Sequence, residues 1–294
     1  MRMAKRVALF LAVNVLILVT LSFTLNLLGV RPYLSSRGLD YNSLMVFCLV
    51  WGMGGAFISL QLSRFMAKMA MGVKLVDGRT GHADLDWLHH TVRQLTERAG
   101  VPMPEVGYYD SAEVNAFATG PSKRRSLVAV SSGLLQTMRH DEVEGVLAHE
   151  IAHVQNGDMV TMTLIQGVVN AFVMFFSRII ANIVRQMVDE RNAYLASLLV
   201  TIALDIAFGF IGMMVVAWFS RAREFRADAG GAQLAGRAQM IAALQRLMQN
   251  KALVDTTRPS LATMKIAGAK GWMPLFSTHP PLEDRIRALQ GVQA

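Results

Sequence analysis

The residue types of a metal-dependent hydrolase sit together in one short stretch, His149-Glu150-Ile151-Ala152-His153. In an α-helix, side chains four apart stand one turn above each other, so both imidazoles can grip a single ion from one rigid element. Zinc is the metal that this arrangement suits best, and a catalytic zinc keeps one position open for water. Glu150, between the two histidines, is placed to act as the general base that takes a proton from that water. An HExxH pentapeptide also arises by chance in 294 residues, so the reading needs further ligands to support it.

The element that must position these residues can be read from its ends. Asp141 with Glu144 three residues on resembles a capping box, and Asn156-Gly157 is a stop signal, which predicts a helix over 142–156. At 3.6 residues per turn, Val143, Val146, Leu147, Ile151 and Val154 share one apolar arc and the histidines project from its flank. The wheel puts Glu150 inside that arc, roughly 80° from the midpoint between the histidines. The pair therefore stands at the boundary between a core and a cleft.

Composition sets the surroundings. Hydrophobic residues make up 53% of the chain and charged residues 17%, and the mean hydropathy is +0.35, far from an average soluble domain. The chain reads as a membrane protein with the lipid bilayer as a partner. Lys and Arg total 29 against 21 Asp and Glu, but the positives collect beside apolar runs rather than among exposed aromatics, which is a topology signal and argues against nucleic acid. The single cysteine, Cys48, lies in an apolar run, so an internal disulfide and a thiolate metal cage are both excluded. Any metal must be held by His and carboxylate.

Four apolar runs are long enough to cross a bilayer: 7–30, Leu44–Leu62, Met159–Val184 and Ala193–Phe219. The first is read as a retained anchor, because it is long, no small-residue cleavage site follows and a second span comes soon after. The predicted organisation is two transmembrane helices in 1–63, a catalytic part in 64–158 with the HEIAH helix, two further transmembrane helices in 159–219, and a C-terminal part in 220–294. Within 64–158, Leu85–Ala99 reads as an amphipathic helix, and Val106–Tyr109, Val114–Ala118 and Leu127–Ser131 read as strands. The fold class is mainly α with a small antiparallel β-sheet beside the HEIAH helix. Ala232–Lys251 is a further amphipathic helix, 252–278 is loop, and the HPPLEDR segment leads into a last short helix. Arg and Lys cluster at the N-terminus, after Leu62 and at Arg221-Arg223-Arg226, which places both termini and the catalytic part in the cytoplasm. Arg178 and Asp205 fall inside the third and fourth runs and are expected either to face the bundle, where they can pair, or to be satisfied separately, Arg178 by reaching outward and Asp205 by a hydroxyl or water.

A third ligand has to come from elsewhere. A metzincin would have histidine six residues after His153, but position 159 is methionine. Glu224 is the better candidate, with Asp228 four residues on and so on the same helical face, where it can orient an imidazole. The competing reading is a charged helix mouth at a membrane surface. Two crossings between His153 and Glu224 would return both to the same side.

Taken together, HEIAHVQNGD, the REFRAD segment, Asn115-Ala116-Phe117 and HPPLEDRI, in this order over nearly the whole chain, resemble the HtpX membrane zinc proteases, relatives of the Ste24-type prenyl-protein endopeptidases. The resemblance implies a gluzincin-like zinc metalloprotease domain in a multi-pass helical protein of the bacterial inner membrane. It implies one zinc per chain held by His149, His153 and Glu224, Glu150 as base and Asp228 as support for the ligands. Asn115 would lie on a strand where backbone groups pair with an extended substrate. His279 either donates to the oxyanion or caps the last helix, and Arg226 and Arg285 are given no chemical role. The implied activity is hydrolysis of misfolded or damaged membrane proteins at the cytosolic face during stress. An intramembrane protease is disfavoured, since polar residues flank the motif on both sides. The reading from another class is a zinc-stabilised membrane scaffold or holdase, which would have no need of Glu150 as a base.

Overall fold

The computed structural model describes residues 38–257 and 277–291, with positions 23, 27, 34 and 35 before them. Most of the expected span at 7–30 and most of the loop expected at 252–278 lie outside the described residues. In chain order the elements are β1 (Leu34–Ser35), β2 (Gly38–Leu39), α1 (Tyr41–Met71), β3 (Lys74–Val76), α2 (Ala83–Ala99), β4 (Glu105–Tyr109), β5 (Ala116–Ser122), β6 (Arg125–Ser131), α3 (Ser132–Thr137), α4 (His140–Asn156), α5 (Asp158–Met187), α6 (Glu190–Leu234), α7 (Arg237–Thr257) and α8 (Leu282–Gln290). They form two compact units, one from residues 1–59 and 162–216, the other from 60–161 and 217–294.

Among the described residues, α1, α5 and α6 are the three helices long and apolar enough to cross a membrane. They contain the apolar runs that start at Leu44, Met159 and Ala193, and large apolar side chains such as Phe57, Phe172, Leu199 and Phe210 stand exposed on them, as lipid-facing residues must. Asp40 starts α1 by accepting hydrogen bonds from the backbone N–H groups of Asn42 and Ser43. Gly52 is where α1 and α5 come closest: a Cβ there would lie 2.7 Å from the Ala171 nitrogen and 2.8 Å from the Gly167 carbonyl. Arg178 Nη1 lies 4.0 Å from Asp205 Oδ1 and donates to the Met174 carbonyl, so the two charges face each other as a long ion pair.

The second unit is built on a four-stranded sheet of order β3-β4-β6-β5. This sheet is mixed, which corrects the expected antiparallel one: β6 pairs antiparallel with β5 but parallel with β4. The β5–β6 hairpin folds so that β6 inserts beside β4, leaving β5 on the edge. Leu127, Val128, Ala129 and Val130 are accordingly buried without alternation, the signature of a strand covered on both faces. The sequence reading missed β3, whose three residues are too few to show a period. Leu88, Val92 and Leu95 of α2 and Val143, Val146, Leu147 and Ile151 of α4 close on the sheet in one core. The α4 arc expected from the wheel is therefore the buried one.

Several boundaries differ from expectation: β5 is Ala116–Ser122 where Val114–Ala118 was expected, and α7 is Arg237–Thr257 where Ala232–Lys251 was expected. The cap of α4 is Arg139, two residues before Asp141: Glu142 Oε2 accepts from the Arg139 backbone N–H at 2.8 Å, while the Arg139 guanidinium is engaged by Asp141. At the other end Gly157 adopts φ +71 and its N–H reaches the His153 and Val154 carbonyls, as the stop signal requires. Helix α6 does not end near Phe219 but continues to Leu234 over 45 residues. The segment after Phe219 is rich in Arg, Ala and Glu and has no proline, and its two glycines, Gly230 and Gly231, stay within the helix where it packs closely against Ala152 and His149.

Candidate metal centre

Both histidines reach the site with their rings already oriented. His153 Nδ1 lies 2.7 Å from Asp158 Oδ2, and His149 Nδ1 lies 2.9 Å from Asp228 Oδ1. A carboxylate beside Nδ1 assigns the proton there and leaves Nε2 with its lone pair. Arg285 Nη2, 3.4 Å from the His149 Nδ1, is then a neighbour and not a donor to it. The two Nε2 atoms stand 3.1 Å apart, a distance at which two lone pairs repel unless a proton or a cation lies between them.

The third group is Glu224, which is fully buried. Its Oε2 is 3.5 Å from His149 Nε2 and its Oε1 is 3.5 Å from His153 Nε2. A tetrahedral zinc with ligand bonds of about 2.1 Å has ligand-to-ligand edges of about 3.4 Å, so separations of 3.1, 3.5 and 3.5 Å suit one ion at the centre. Burial by itself would depress both histidines, but the carboxylates reverse it: Asp228 and Glu224 raise His149, and Asp158 and Glu224 bring His153 up to about 9. For Glu224 and Asp228 burial acts upward and is overcome, by the histidines for Glu224 and by Arg285 and His149 for Asp228, so both stay well below the usual carboxylate range. A metal entering this cluster displaces protons from the imidazoles.

Close packing brings α6 to the site. A Cβ on Gly231 would lie 3.1 Å from the His149 backbone nitrogen and 2.9 Å from Met240 Sδ, so a side chain there would push α6 off α4. Glu224 and Asp228 then project from one face of α6, four residues apart as expected. Arg285 on α8 is buried and forked onto Asp228, with Nε at 2.7 Å and Nη2 at 2.6 Å, and its Nη1 is 3.6 Å from Glu224 Oε2. Arg226 reaches Asp158 Oδ1 at 3.7 Å.

A pocket opens beside the cluster, with Asn115, Glu150, Glu224, His279 and Arg285 on its polar side and Leu134, Val146, Met240 and Leu244 among its apolar lining. Glu150 is half-buried and lines this pocket together with Val146 of the apolar arc, so that arc borders the cleft as well as the core. His279 is exposed at the rim, its Nδ1 2.9 Å from Glu224 Oε2. It does not cap α8, whose N-cap is Pro281 without a side-chain hydrogen bond. Asn115 lines the pocket just before β5, but its backbone faces inward: its N–H meets Ser131 Oγ and its carbonyl accepts from the Ser131 N–H. By strand alternation the backbone groups of Ala116 and Ala118 are the ones that point to the free edge.

The structure thus brings together His149, His153, Glu224 and Asp228 in one cluster, with Glu150, His279 and Asn115 lining the pocket beside it. Two residues were missed. Asp158 was read only as a polar flank of the motif, because the break at Gly157 removes it from any helical wheel that contains His153. Arg285 lies 136 positions from His149, and no local pattern links them.

Residues 82–293 match the peptidase family M48. The chain belongs to that family. It is a metalloprotease, and the three long apolar helices among the described residues make it a membrane protein. Among its relatives, the Protease HtpX homolog of Thiobacillus denitrificans is 51% identical over 294 residues, covering 98% of this chain and all of the relative. Protease HtpX of Chromohalobacter salexigens is 49% identical over 293 residues, covering 97% of each. The crystal structure of S. mikatae Ste24p is similar in fold, with a TM-score of 0.62 at 20% identity over 98% of this chain and 64% of that one. The mainly helical fold with a small sheet is shared with that structure.

Proposed function

We propose that the protein is a zinc-dependent endopeptidase that hydrolyses misfolded or damaged membrane proteins at the cytosolic face of the bacterial inner membrane. The observation that carries the reading is the convergence of His149 Nε2, His153 Nε2 and a Glu224 oxygen within 4.8 Å of one another, with a carboxylate that is not a member of the set, Glu150, facing the adjoining pocket. Those three residues would hold the ion, which when bound supplies Lewis acidity and brings a water's pKa to near neutrality.

The chain's own residues supply the remaining steps. The free edge of β5 at Ala116 and Ala118 pairs with an extended substrate segment, fixing the scissile bond across the pocket mouth. Glu150 takes the proton from the attacking water and hands it to the leaving amine. His279, at the rim beside Glu224, is the group placed to donate to the carbonyl oxygen as it gains charge, and the neighbouring Arg285 adds positive charge. Asp158 and Asp228 hold the imidazoles in the orientation that binding needs. The apolar wall of Leu134, Val146, Met240 and Leu244 suits an apolar side chain next to the cut.

The test is cleavage of an unfolded membrane-protein substrate by the purified zinc-loaded chain in detergent, beside Glu150→Gln prepared identically. Gln keeps the shape and is outside the ligand set, so metal content and fold should be retained while cleavage drops about 10² to 10⁴-fold. Full cleavage by a metal-replete variant removes Glu150 as the base. No cleavage by the wild type on several unfolded substrates favours the scaffold or holdase.

A further inference from the structure

The turn of the β5–β6 hairpin is a basic tip, Lys123-Arg124-Arg125, that the peptidase chemistry does not use. All three residues are exposed. Among the described residues the Lys123 and Arg124 side chains have no hydrogen-bond or ion-pair partner, whereas Arg125 Nη2 is anchored on Gln61 Oε1 at 3.0 Å. Gln61 lies at the end of the apolar run of α1, one residue before Leu62. The Lys123 stem comes within 3.9 Å of a Cβ built on Gly157, two residues before the apolar run of α5 begins at Met159. On α6 the corresponding level is marked by exposed Trp218 and Phe219 followed by Arg221, Arg223 and Arg226. Aromatic side chains followed by basic ones mark the headgroup layer of a bilayer.

The nearby carboxylates are already taken. Glu105 is held by Arg64 and Lys68, and Asp158 is buried against His153 with Arg226 beside it. Two unpaired cations, on a hairpin pinned at the level where an apolar run ends, have anionic lipid as their natural counter-charge. We propose that Lys123 and Arg124 at the β5–β6 tip bind the phosphate headgroups of anionic phospholipids, fixing the edge strand β5 at the membrane surface. The tip carries charge without interleaved aromatics, which fits a headgroup layer better than stacked bases.

The test uses the full chain in a neutral detergent. It is titrated with short-chain phosphatidylglycerol, with short-chain phosphatidylcholine and with inorganic phosphate, and bound lipid is counted by native mass spectrometry alongside the unfolding temperature. Phosphatidylglycerol should be retained and should raise the unfolding temperature, phosphatidylcholine should do neither, and phosphate at equal concentration should not compete. Each basic residue near an anionic surface is worth about fivefold in affinity, so K123A/R124A should weaken retention by more than about tenfold. R79A/R93A, which removes two exposed cations elsewhere, should leave it unchanged, and the charge-keeping K123R/R124K should preserve it. Equal retention of both lipids, full retention by K123A/R124A, equal loss in R79A/R93A, or displacement by phosphate would each overturn the proposal. None of these outcomes depends on peptide cleavage.

Discussion

Each imidazole of the cluster is held by its own carboxylate, and the two carboxylates reach it by different routes. Asp228 belongs to the same helix as Glu224 and is neutralised by the fork of Arg285, whereas Asp158 is the first residue of α5 and folds back across Gly157. Losing either should weaken metal binding by about 10 to 100-fold, because the ring it orients gains freedom and becomes a poorer donor. Asp158→Asn and Asp228→Asn are expected to fall in that range when zinc affinity is measured by competition with a chromogenic chelator. Glu224→Ala should be weaker than both, since only two ligands remain. Wild-type affinity in Asp158→Asn would show that the 2.7 Å contact does not orient the ligand, and wild-type affinity in Glu224→Ala would remove Glu224 from the site. Asp228 could be anticipated from its four-residue spacing to Glu224. Asp158 could not, because the αL turn at Gly157 redirects the chain and a wheel drawn through His153 places the side chain on the wrong face.

At the scale of elements, what was legible was what repeats. The α4 arc, the amphipathic α2 and the apolar runs in α1, α5 and α6 each carry a period or a length that survives tertiary context. The sheet was less legible, since the order β3-β4-β6-β5 is decided by which strand slides beside β4, and nothing local to β4 or β6 encodes a parallel partner. Nor does the helix-forming stretch after Phe219 announce that α6 continues to Glu224 and Asp228 without a break. Close approaches were half legible. The apolar run of α1 holds Gly52, Gly54 and Gly55, but the contact of Gly52 with Gly167 and Ala171 needed coordinates. Gly52→Val should therefore destabilise the helix pair by about 1 to 3 kcal/mol, because the added side chain meets backbone that cannot turn aside. The check is the unfolding temperature in detergent against Gly209→Val, where a Cβ meets nothing within 4 Å. Equal losses in the two variants would show that helix propensity, and not the contact, is responsible.

Over the whole molecule the three convergent groups come from two helices that are distant in the chain. His149 and His153 lie on α4, Glu224 lies on α6, and the intervening chain includes all of α5 and the apolar length of α6. An ion bound to all three acts as a clip on the fold as well as a reagent. Binding to the native state alone stabilises by about 4 kcal/mol when free metal stands at 1,000 times its dissociation constant. Chelation should therefore lower the unfolding temperature, on the order of 10 °C for a chain of this size, and added zinc should restore it. Glu150→Gln should show the same metal-dependent shift as the wild type, because Glu150 stands outside the ligand set. Glu224→Ala should show little or none. If chelation shifts neither the wild type nor Glu150→Gln, the three groups do not hold a metal that matters to the fold. A shift that persists in Glu224→Ala would locate the metal elsewhere. The scaffold reading predicts the same stability pattern as the protease reading, so metal-dependent stability together with the loss of cleavage in Glu150→Gln is the combination that separates a reagent from a clip.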